Sequence, residues 1–354
     1  MDPTSQLMPQ FRAPVMSSER LEERRGSGTA VLVVIPSFNE AEHIEDLVLK
    51  LLEDTDQLKV RIVVADGGST DDTCAIVRRL AERESRVILL DSKKRIAASL
   101  NEAVANYGDA AEFLIRIDAH AEYPPQYCTR LLAVQSETGA DSVVVSMITR
   151  GRSCFQRAAA AAQNSFLGNG GSPHRNPSKG RWVDHGHHAL MRTAAYRTVG
   201  GYDESFFWNE DAELDRRLRA AGFRIYLVGG LSIGYFPRRS VAALFRQYFN
   251  YGRGRARNFL KHRERLRLRQ MLPLAVVPAL GMLLLAPVSL VFAAPALMWC
   301  LACVGYGIWL GVKARNPCAA AAGIAAIVMH AGWSFGFVAS LLANRQPASG
   351  VTCC

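Results

Sequence analysis

Short apolar runs alternate with segments of helical periodicity over the first third of the chain. We predict strands where branched apolar residues fill positions 31–35, 60–65, 87–90 and 113–117. Apolar residues at helical spacing follow the first three runs, at 44–52, 76–80 and 96–104. Strands that alternate with helices in this way predict an α/β fold built on a doubly wound, mostly parallel sheet.

The pattern after position 125 is less regular. We predict a helix over 128–135, a strand over 142–148, a helix from Trp208 to Gly222 and a strand over 224–228. An Ala-rich piece followed by a Gly-rich run predicts a mobile loop over a cleft, between Gly151 and Lys179.

Long apolar stretches begin after position 270. No charged residue lies between Met271 and Val312, which is long enough for two membrane spans of about twenty residues each, with a turn at Pro295. The stretch 319–343, rich in Ala and Gly, is a third candidate span. The alternative is a buried hydrophobic hairpin in a soluble protein.

The formal net charge of +10 is concentrated in one segment. Positions 238–269 hold eleven Lys and Arg residues against Glu264 alone, so this segment accounts for the whole net charge. Its apolar positions from Val241 to Phe249 predict an amphipathic helix in a membrane interface. Because the segment directly precedes the apolar stretches, it favours an anionic membrane surface over nucleic acid as a partner. The positive-inside rule then places the globular part in the cytoplasm and the C-terminus outside.

These patterns divide the chain into five parts. We predict a disordered leader without a signal peptide over 1–28, a globular domain over 29–237 and a basic amphipathic segment over 238–270. A transmembrane region of about three spans covers 271–343, and a tail covers 344–354. The eight cysteines show no disulfide or zinc framework, which fits a reducing location for the globular part.

Acidic residues stand directly after two predicted strands. The first strand–helix turn lacks GxGxxG and the chain lacks GxxxxGK[ST], which disfavours a dinucleotide oxidoreductase and a P-loop NTPase. Asp66 and Asp118 instead favour a nucleotide-plus-metal site at the carboxyl edge of the sheet. In extended chain Asp118 and His120 face the same way, so together they can bind a divalent cation. The alternatives are a turn residue at Asp66, and a turn-capping aspartate with a surface histidine at 118–120.

Two further clusters carry chemistry. His185, His187 and His188 suggest a metal, but alternation sends the first two one way and the third the other, so we expect a substrate-facing turn. Glu210 and Asp211 open a predicted helix, where acids stabilise the N-terminus. Their functional interpretation is a positioned general base.

Four motifs stand in a familiar order. They are 33–40 (VVIPSFNE), 64–73 (VADGGSTDDT), Asp118-x-His120 and Asn209-Glu210-Asp211. In this order they resemble the family-2 inverting glycosyltransferases of the GT-A fold, and within them the bacterial glucosyltransferases of succinoglycan-type exopolysaccharide assembly. The resemblance covers Ala30 to Arg269 and the apolar tail.

The resemblance implies a GT-A nucleotide-sugar-binding domain with a UDP-sugar donor, UDP-glucose first among them. The acceptor would be a polyprenyl-diphosphate-linked sugar in the bacterial inner membrane, with membrane lipids and other polysaccharide assembly proteins as partners. The implied donor-binding residues are Pro36, Phe38, Glu40, Asp66, Gly67, Arg95 and Asp118. Asp118 and His120 would hold Mg²⁺ or Mn²⁺, and Asp211 would be the catalytic base, with its neighbour Glu210 as the alternative. We assign acceptor contacts to His187, His188, Trp208 and Arg253.

The chain departs from the family pattern at two places. His120 replaces the second Asp of the DxD motif, and imidazole, a softer ligand, favours Mn²⁺. The QxxRW motif of processive synthases is missing, because 247–251 (QYFNY) occupies its place, so we expect the addition of a single sugar. The alternative functions are a polyprenyl-phosphate hexose synthase on the same fold and a catalytically silent membrane scaffold of a polysaccharide complex.

Overall fold

An eight-stranded mixed sheet is the central element of the computed structural model, which describes residues 30–172, 180–263 and 271–343. The strands are β1 (Ala30–Ser37), β2 (Lys59–Asp66), β3 (Val87–Asp91), β4 (Phe113–Arg116), β5 (Ser142–Thr149), β6 (Arg181–Val183), β7 (His187–Arg192) and β8 (Ile225–Tyr235). Their order is β3-β2-β1-β4-β7-β5-β8-β6. The pairs β3–β2, β2–β1 and β1–β4 are parallel, whereas β7 is antiparallel to β4 and β5, and β6 to β8. The predicted parallel sheet is confirmed for the first four strands.

Helices connect these strands and follow them. They are α1 (Ile44–Asp54), α2 (Thr73–Arg83), α3 (Ile96–Tyr107), α4 (Tyr127–Thr138), α5 (Cys154–Asn164), α6 (Phe166–Asn169), α7 (Thr193–Thr198), α8 (Glu210–Ala220), α9 (Val241–His262), α10 (Val276–Met282), α11 (Ala294–Lys313), α12 (Pro317–Ala320) and α13 (Ala322–Ala343). The described chain forms two compact units. The first contains 30–147, 180–203 and 214–233, and the second contains 148–172, 204–213, 234–263 and 271–343.

The core of the first unit lies on both faces of the sheet. Along β1, Val31, Val33 and Ile35 belong to one apolar cluster, and Leu32 and Val34 belong to another. Successive side chains of a strand point to opposite faces, so a strand covered on both sides is apolar at every position. This explains why 31–35 is a continuous apolar run instead of an alternating one.

The predicted loop between Gly151 and Lys179 is wrong for its first part, because α5 and α6 occupy it. Small Ala side chains give a weak apolar periodicity, which concealed the helix. A signal was present, since Ser153 and Gln156 form a capping box at the start of α5. The rest of the predicted loop, over 173–179, lies outside the described residues, as do the leader over 1–28 and the tail over 344–354.

A disulfide in the second unit corrects the expectation about the cysteines. Cys154 at the start of α5 is bonded to Cys318 in α12, with 5.1 Å between their Cα atoms. The two residues are 164 positions apart, so no local spacing could reveal the pair. Helix packing brings them together. The cysteines therefore no longer support a reducing location for the globular part.

Two of the described helices are long and apolar enough to cross a membrane, over Leu290–Lys313 and Pro317–Ala343. Of the two spans predicted between Met271 and Val312, one coincides with the helix Leu290–Lys313, and the other stays a prediction. The apolar helix Leu272–Leu285 is shorter than a span, and the chain turns at 286–289 instead of at Pro295. Pro295 lies in the first turn of α11, where a missing N–H breaks no helical hydrogen bond. The outside location of the C-terminus, which follows from three spans, stays a prediction.

The predicted amphipathic helix is α9, and it packs along α13 within the second unit. Glycines allow the two backbones to approach. A Cβ atom built at Gly336 would overlap the carbonyl oxygen of Phe249, and one at Gly252 would overlap that of Trp333. Small residues on both helices thus form a close contact of the kind found between helices in membranes.

This contact predicts different effects for two substitutions of glycine by alanine. Gly336→Ala places a methyl group against the backbone of α9, and we expect a loss of about 1–3 kcal/mol of stability from overpacking. Gly305→Ala in α11 is the matched control, because no atom lies within 4 Å of a Cβ built there. Thermal unfolding of the detergent-solubilised protein should show a lower Tm for the first variant alone. Equal Tm values for the two variants would contradict the close contact.

Candidate functional site

The carboxyl ends of β1, β2 and β4 meet at one edge of the sheet in the first unit. Ser37 at the end of β1 is in register with Asp66 at the end of β2, and Val34 is in register with Arg116 at the end of β4. The chain then leads from each strand into 36–40, 66–68 and 117–120. Ligands of open α/β sheets bind at this edge, so the parallel register brings the predicted donor-binding segments together.

Two of these segments are joined by hydrogen bonds. Asn39, with a left-handed φ of 55°, accepts from the backbone N–H of Thr70 at 2.8 Å and donates its own N–H to the hydroxyl of Ser69 at 2.9 Å. The backbone N–H of Glu40 donates to the hydroxyl of Thr73 at 2.8 Å. These bonds fix the loop after β1 against the loop after β2.

Asp66 organises the second of these loops from the inside. Its carboxylate accepts from the N–H groups of Gly68 and Ser69, each at 2.8 Å, and from the hydroxyl of Ser69. Burial by itself raises the pKa of a carboxyl group, but the hydrogen bonds from Ser69 and Gly68 outweigh it, so the pKa of Asp66 lies below its ordinary value. Asp66 is 1% exposed and acts as a turn residue in the described structure, and its contact with a nucleotide stays a prediction.

The other predicted donor-binding residues are more accessible. Phe38 is 59% exposed, Arg95 is exposed directly before α3, and Pro36 is half-buried. Gly67 lies between backbones, because its N–H donates to the carbonyl of Ser37 at 2.8 Å and an added Cβ would come within 3.3 Å of that oxygen. The edge therefore has an aromatic ring, a guanidinium group and a close backbone approach.

Asp118 is held by a guanidinium group. Oδ1 of Asp118 lies 3.2 Å from Nε of Arg116, whose side chain is 6% exposed. Oδ2 of Asp118 lies 3.5 Å from Nε2 of His187. The carboxylate is thus oriented by one buried cation and has an imidazole on its other side.

His120 has a different environment from the predicted one. β4 ends at Arg116 and the chain turns at 119–120, so the argument from alternation in extended chain does not apply. Nδ1 of His120 lies 3.0 Å from Oε1 of Glu40, one of the predicted donor-binding residues. This contact links the loop after β4 to the loop after β1.

The residues beside Asp118 have the chemistry of a divalent metal site. Mn²⁺ and Mg²⁺ sites use a carboxylate oxygen, an imidazole nitrogen or both as ligands. Phosphate and water oxygens fill the remaining positions around the ion. Among the described residues, no cluster of three or more His, Cys, Asp or Glu side chains is arranged to hold a metal ion. Asp118 with His120 or His187 therefore stays a candidate set of ligands for a divalent ion.

A buried polar network lies behind Asp118 in the first unit. Nη1 of Arg116 is 3.2 Å from the hydroxyl of Tyr202, which is 2.7 Å from Nδ1 of His188. Nε2 of His188 is 2.7 Å from Oδ1 of Asp215, and Nδ1 of His185 is 2.7 Å from Oδ2 of the same carboxylate. Burial raises the pKa of Asp215, but the charge of His188 and the hydrogen bonds from both histidines hold it below its ordinary value.

This network corrects two expectations about the histidines. His185 and His188 share a carboxylate while His187 faces Asp118, because His185 lies before β7 and the β5–β7 register shifts between Val143 and Val144. His188 is 1% exposed, so it does not face outwards as a substrate-facing turn requires, and its acceptor contact stays an untested prediction. Its neighbour His187 stays a candidate for acceptor contact, and its position beside Asp118 makes it a candidate metal ligand as well.

Three residues of the network were missed from the sequence: Arg116, Tyr202 and Asp215. Asp215 did carry a signal, because it stands beside Leu214 and three residues before Leu218, which form the apolar face of α8. A carboxylate on such a face must have a buried partner.

The second unit holds the predicted base and its surroundings. Glu210 and Asp211 are half-buried in the first turn of α8. Asn209, with a φ of 60°, donates through Nδ2 to the carbonyl of Tyr251 in α9 at 2.8 Å. Trp208 lies under the guanidinium group of Arg253, with 5.1 Å from Cζ to the ring centroid. The predicted base and two of the predicted acceptor residues, Trp208 and Arg253, thus lie at the contact between 205–213 and α9.

A buried ion cluster completes this contact. The side chain of Glu213 is fully buried and accepts from Nζ of Lys261 and lies 3.1 Å from Nε2 of His262, both at the end of α9. Arg257 donates to the carbonyl of Ser205 at 2.6 Å. About three turns of α9, from Tyr251 to His262, therefore hold the segment that precedes and includes Asp211.

Comparisons with known proteins agree on one family. The family model described as glycosyl transferase family 2 matches residues 32–200. The chain is 54% identical over 332 residues to the succinoglycan biosynthesis protein ExoA of Rhizobium meliloti (strain 1021), covering 94% of this chain and 99% of that protein. It is 32% identical over 140 residues to an undecaprenyl-phosphate 4-deoxy-4-formamido-L-arabinose transferase of Pseudomonas fluorescens, covering 36% of this chain and 38% of that protein.

A solved structure shares the fold. The mannosyltransferase PcManGT of Pyrobaculum calidifontis, solved in complex with GDP-Man and Mn²⁺, superimposes with a TM-score of 0.55 at 20% identity. The alignment covers 89% of this chain and 88% of that one. The predicted GT-A fold is confirmed.

The lowered pKa of Asp66 predicts the pH dependence of stability. Because the folded-state pKa lies below the ordinary value of 3.8, the carboxylate stabilises the fold above that pH, and this contribution is lost as the pH falls through the folded-state value. We expect Asp66→Asn to lower Tm near neutral pH and to make Tm fall less steeply from about pH 5 to about pH 3. Asp46→Asn, at an exposed carboxylate in α1, is the control. A slope equal to that of the wild type would refute this role of Asp66.

The buried cluster at Glu213 predicts a rescue. Lys261→Met removes a partner of a fully buried carboxylate, and we expect a loss of about 1–3 kcal/mol in the free energy of unfolding. Glu213→Gln added to Lys261→Met removes the uncompensated charge, so the double variant should regain part of the loss. Denaturant titrations of both variants measure this. Lys50→Met, which breaks an exposed pair with Asp46, should change little. A double variant less stable than Lys261→Met would speak against a buried charge as the cause.

Proposed function

The chain belongs to glycosyl transferase family 2, and we propose that it is a membrane-anchored inverting hexosyltransferase of exopolysaccharide repeat-unit assembly. In this proposal the donor is a UDP-sugar, with UDP-glucose the first candidate, and the acceptor is a sugar linked to polyprenyl diphosphate. The observation that carries the proposal is the similarity to the Rhizobium meliloti protein over nearly the whole of both chains, since it includes the apolar C-terminal helices as well as the catalytic domain.

The donor would bind at the sheet edge of the first unit. Phe38 offers a face on which a base can stack, and Pro36, Glu40 and Gly67 shape the pocket between two loops that hydrogen bonds hold together. Asp66 supports this pocket through its own turn. Arg95, exposed before α3, is positioned to bind the diphosphate by charge.

Asp118 would hold Mg²⁺ or Mn²⁺, with His120 or His187 as a second ligand. When bound, such an ion offsets the negative charge that develops on a departing UDP. The contribution of Arg116 is to fix the carboxylate of Asp118 in one orientation. Because imidazole is a softer ligand than carboxylate, this donor set favours Mn²⁺ over Mg²⁺.

Asp211 would be the general base, with Glu210 as the alternative. An acceptor hydroxyl is not ionised at neutral pH, and a carboxylate that removes its proton as the new bond forms is worth about 10² to 10⁴ in rate. Attack in a single displacement inverts the anomeric centre and gives a β-glycoside from an α-linked donor. His187, Trp208 and Arg253 remain the residues we assign to the acceptor.

The anchor would consist of α9 and the two long apolar helices. They would place the protein in the bacterial inner membrane with the catalytic domain in the cytoplasm, where nucleotide sugars are available. The basic side of α9 would then contact the anionic lipids of the cytoplasmic leaflet. Other polysaccharide assembly proteins are expected partners there.

A polyprenyl-phosphate glycosyltransferase is the second candidate. It is supported by the similarity to the Pseudomonas fluorescens transferase, whose name gives undecaprenyl phosphate, but only over 36% of this chain. Such an acceptor is already an anion and needs no base. A catalytically silent scaffold is the weakest candidate, because Asp118 and Asp211 are both present.

Labelled transfer by membranes that contain the protein tests this proposal. Panels of UDP-sugars and lipid-linked acceptors should give one labelled product, and Asp211→Asn should lower the rate by about 10² to 10⁴ while UDP binding by calorimetry persists. Glu210→Gln is the matched neighbour and should have the smaller effect. A mild effect of Asp211→Asn with a polyprenyl phosphate acceptor would favour the second candidate, and failure to bind any UDP-sugar would favour the scaffold.

A further inference from the structure

A cavity of about 470 Å³ lies between α9 and α13 in the second unit. Its walls are formed by Phe249, Arg253, Arg257, Ala339, Ser340 and Ala343. Two of the lining residues are arginines one helical turn apart on α9, and the others are aromatic or small. No acidic side chain is among these lining residues.

The two arginines are held in place before any ligand arrives. Arg253 lies over the ring of Trp208, and Cζ of Arg257 lies 5.0 Å from the ring centroid of Phe206. Arg257 also donates to the carbonyl oxygen and to the hydroxyl of Ser205, at 2.6 and 3.3 Å. Guanidinium groups fixed in this way bind a phosphate with little further loss of side-chain freedom.

The lining chemistry selects the class of ligand. Arginine forks match phosphate oxygens, and a diphosphate offers enough of them for two guanidinium groups. Phe249, Ala339 and Ala343 provide apolar surface that a free phosphate or nucleotide would not need. The cavity therefore suits a molecule in which a diphosphate is joined directly to a hydrocarbon chain.

The position of the cavity agrees with such a ligand. It lies at the C-terminal end of α13, a helix of 22 residues, so about 33 Å long, which is close to the thickness of a hydrocarbon core. One end of a span of this length lies at the level of lipid headgroups. The segment that holds the arginines, 205–208, runs directly into Glu210 and Asp211.

We propose that this cavity binds the diphosphate and the first isoprene units of the polyprenyl-diphosphate-linked acceptor, with Arg253 and Arg257 as the phosphate ligands. The inference rests on the proposed function and adds Arg257 and the cavity to it. Binding of the phosphate beside 205–208 would bring the sugar at the far side of the diphosphate towards the turn that carries Asp211.

The test uses the full-length protein in nanodiscs of phosphatidylcholine and undecaprenyl diphosphate as the probe. We expect Arg253→Gln/Arg257→Gln to weaken probe binding, and to raise KM for the lipid-linked acceptor, by about 10- to 100-fold, because hydrogen bonds between charged groups are lost. The affinity for UDP, measured by calorimetry, should stay unchanged. Ala339→Phe keeps both arginines but fills the cavity, and it should weaken binding as well.

Arg246→Gln is the matched control, since it removes the same charge from an exposed position of α9 that does not line the cavity. If it weakens binding as much as the arginine pair does, or if phosphatidylglycerol displaces the probe at equal mole fraction, the cavity is a general anionic-lipid site and the proposal is overturned. Unchanged binding by Ala339→Phe would overturn it too. Probe binding that needs Arg253 and Arg257 without any sugar transfer would instead overturn the proposed function and leave the cavity assignment standing.

Discussion

A guanidinium group buried at the end of a strand determines much of the geometry of the first unit. Arg116 is the last residue of β4, and its charge can be buried there only if acceptors surround it. Asp118 and Tyr202 provide them. The carboxylate that the sheet edge presents is therefore one half of an ion pair whose other half belongs to the core. Its orientation follows from burial of the cation and not from the loop in which it stands.

The same requirement extends the network through Tyr202 to His188 and Asp215. Each member satisfies a buried polar atom of the next, and a network of this kind is stable only when it is complete. It joins β4, β7 and α8 within the first unit, so these elements cannot shift independently without leaving a charge unpaired. Asp118 is in this sense anchored by residues of the core, and His188 belongs to the same network.

The sequence predicts the parallel half of the fold and the strand-end position of Asp66 and Asp118, because strand and helix periodicity are local properties. Contacts between distant segments leave no such mark. The partners of His188, the bond between Cys154 and Cys318, and the contact of His120 with Glu40 each depend on how separate elements meet. Alternation also failed at His120 and at His185, since both stand just outside a strand, where its period no longer applies. Pro295 misled for the opposite reason: proline interrupts a helix within its interior but begins one without cost.

The contacts of α9 suggest a reason for a glycosyltransferase of this kind to keep apolar helices next to the proposed base. Along one side α9 packs closely on α13 through glycines, and along another it binds 205–213 through Asn209, Glu213 and the arginine contacts. Backbone contact of this closeness leaves little freedom for α9 to slide along α13. In the second unit the first turn of α8 is therefore attached to an apolar span through one rigid helix. If the acceptor is held in the membrane, α9 also fixes the position of the proposed base relative to the membrane. Acceptor and base then meet with a smaller loss of translational freedom than two molecules free in solution.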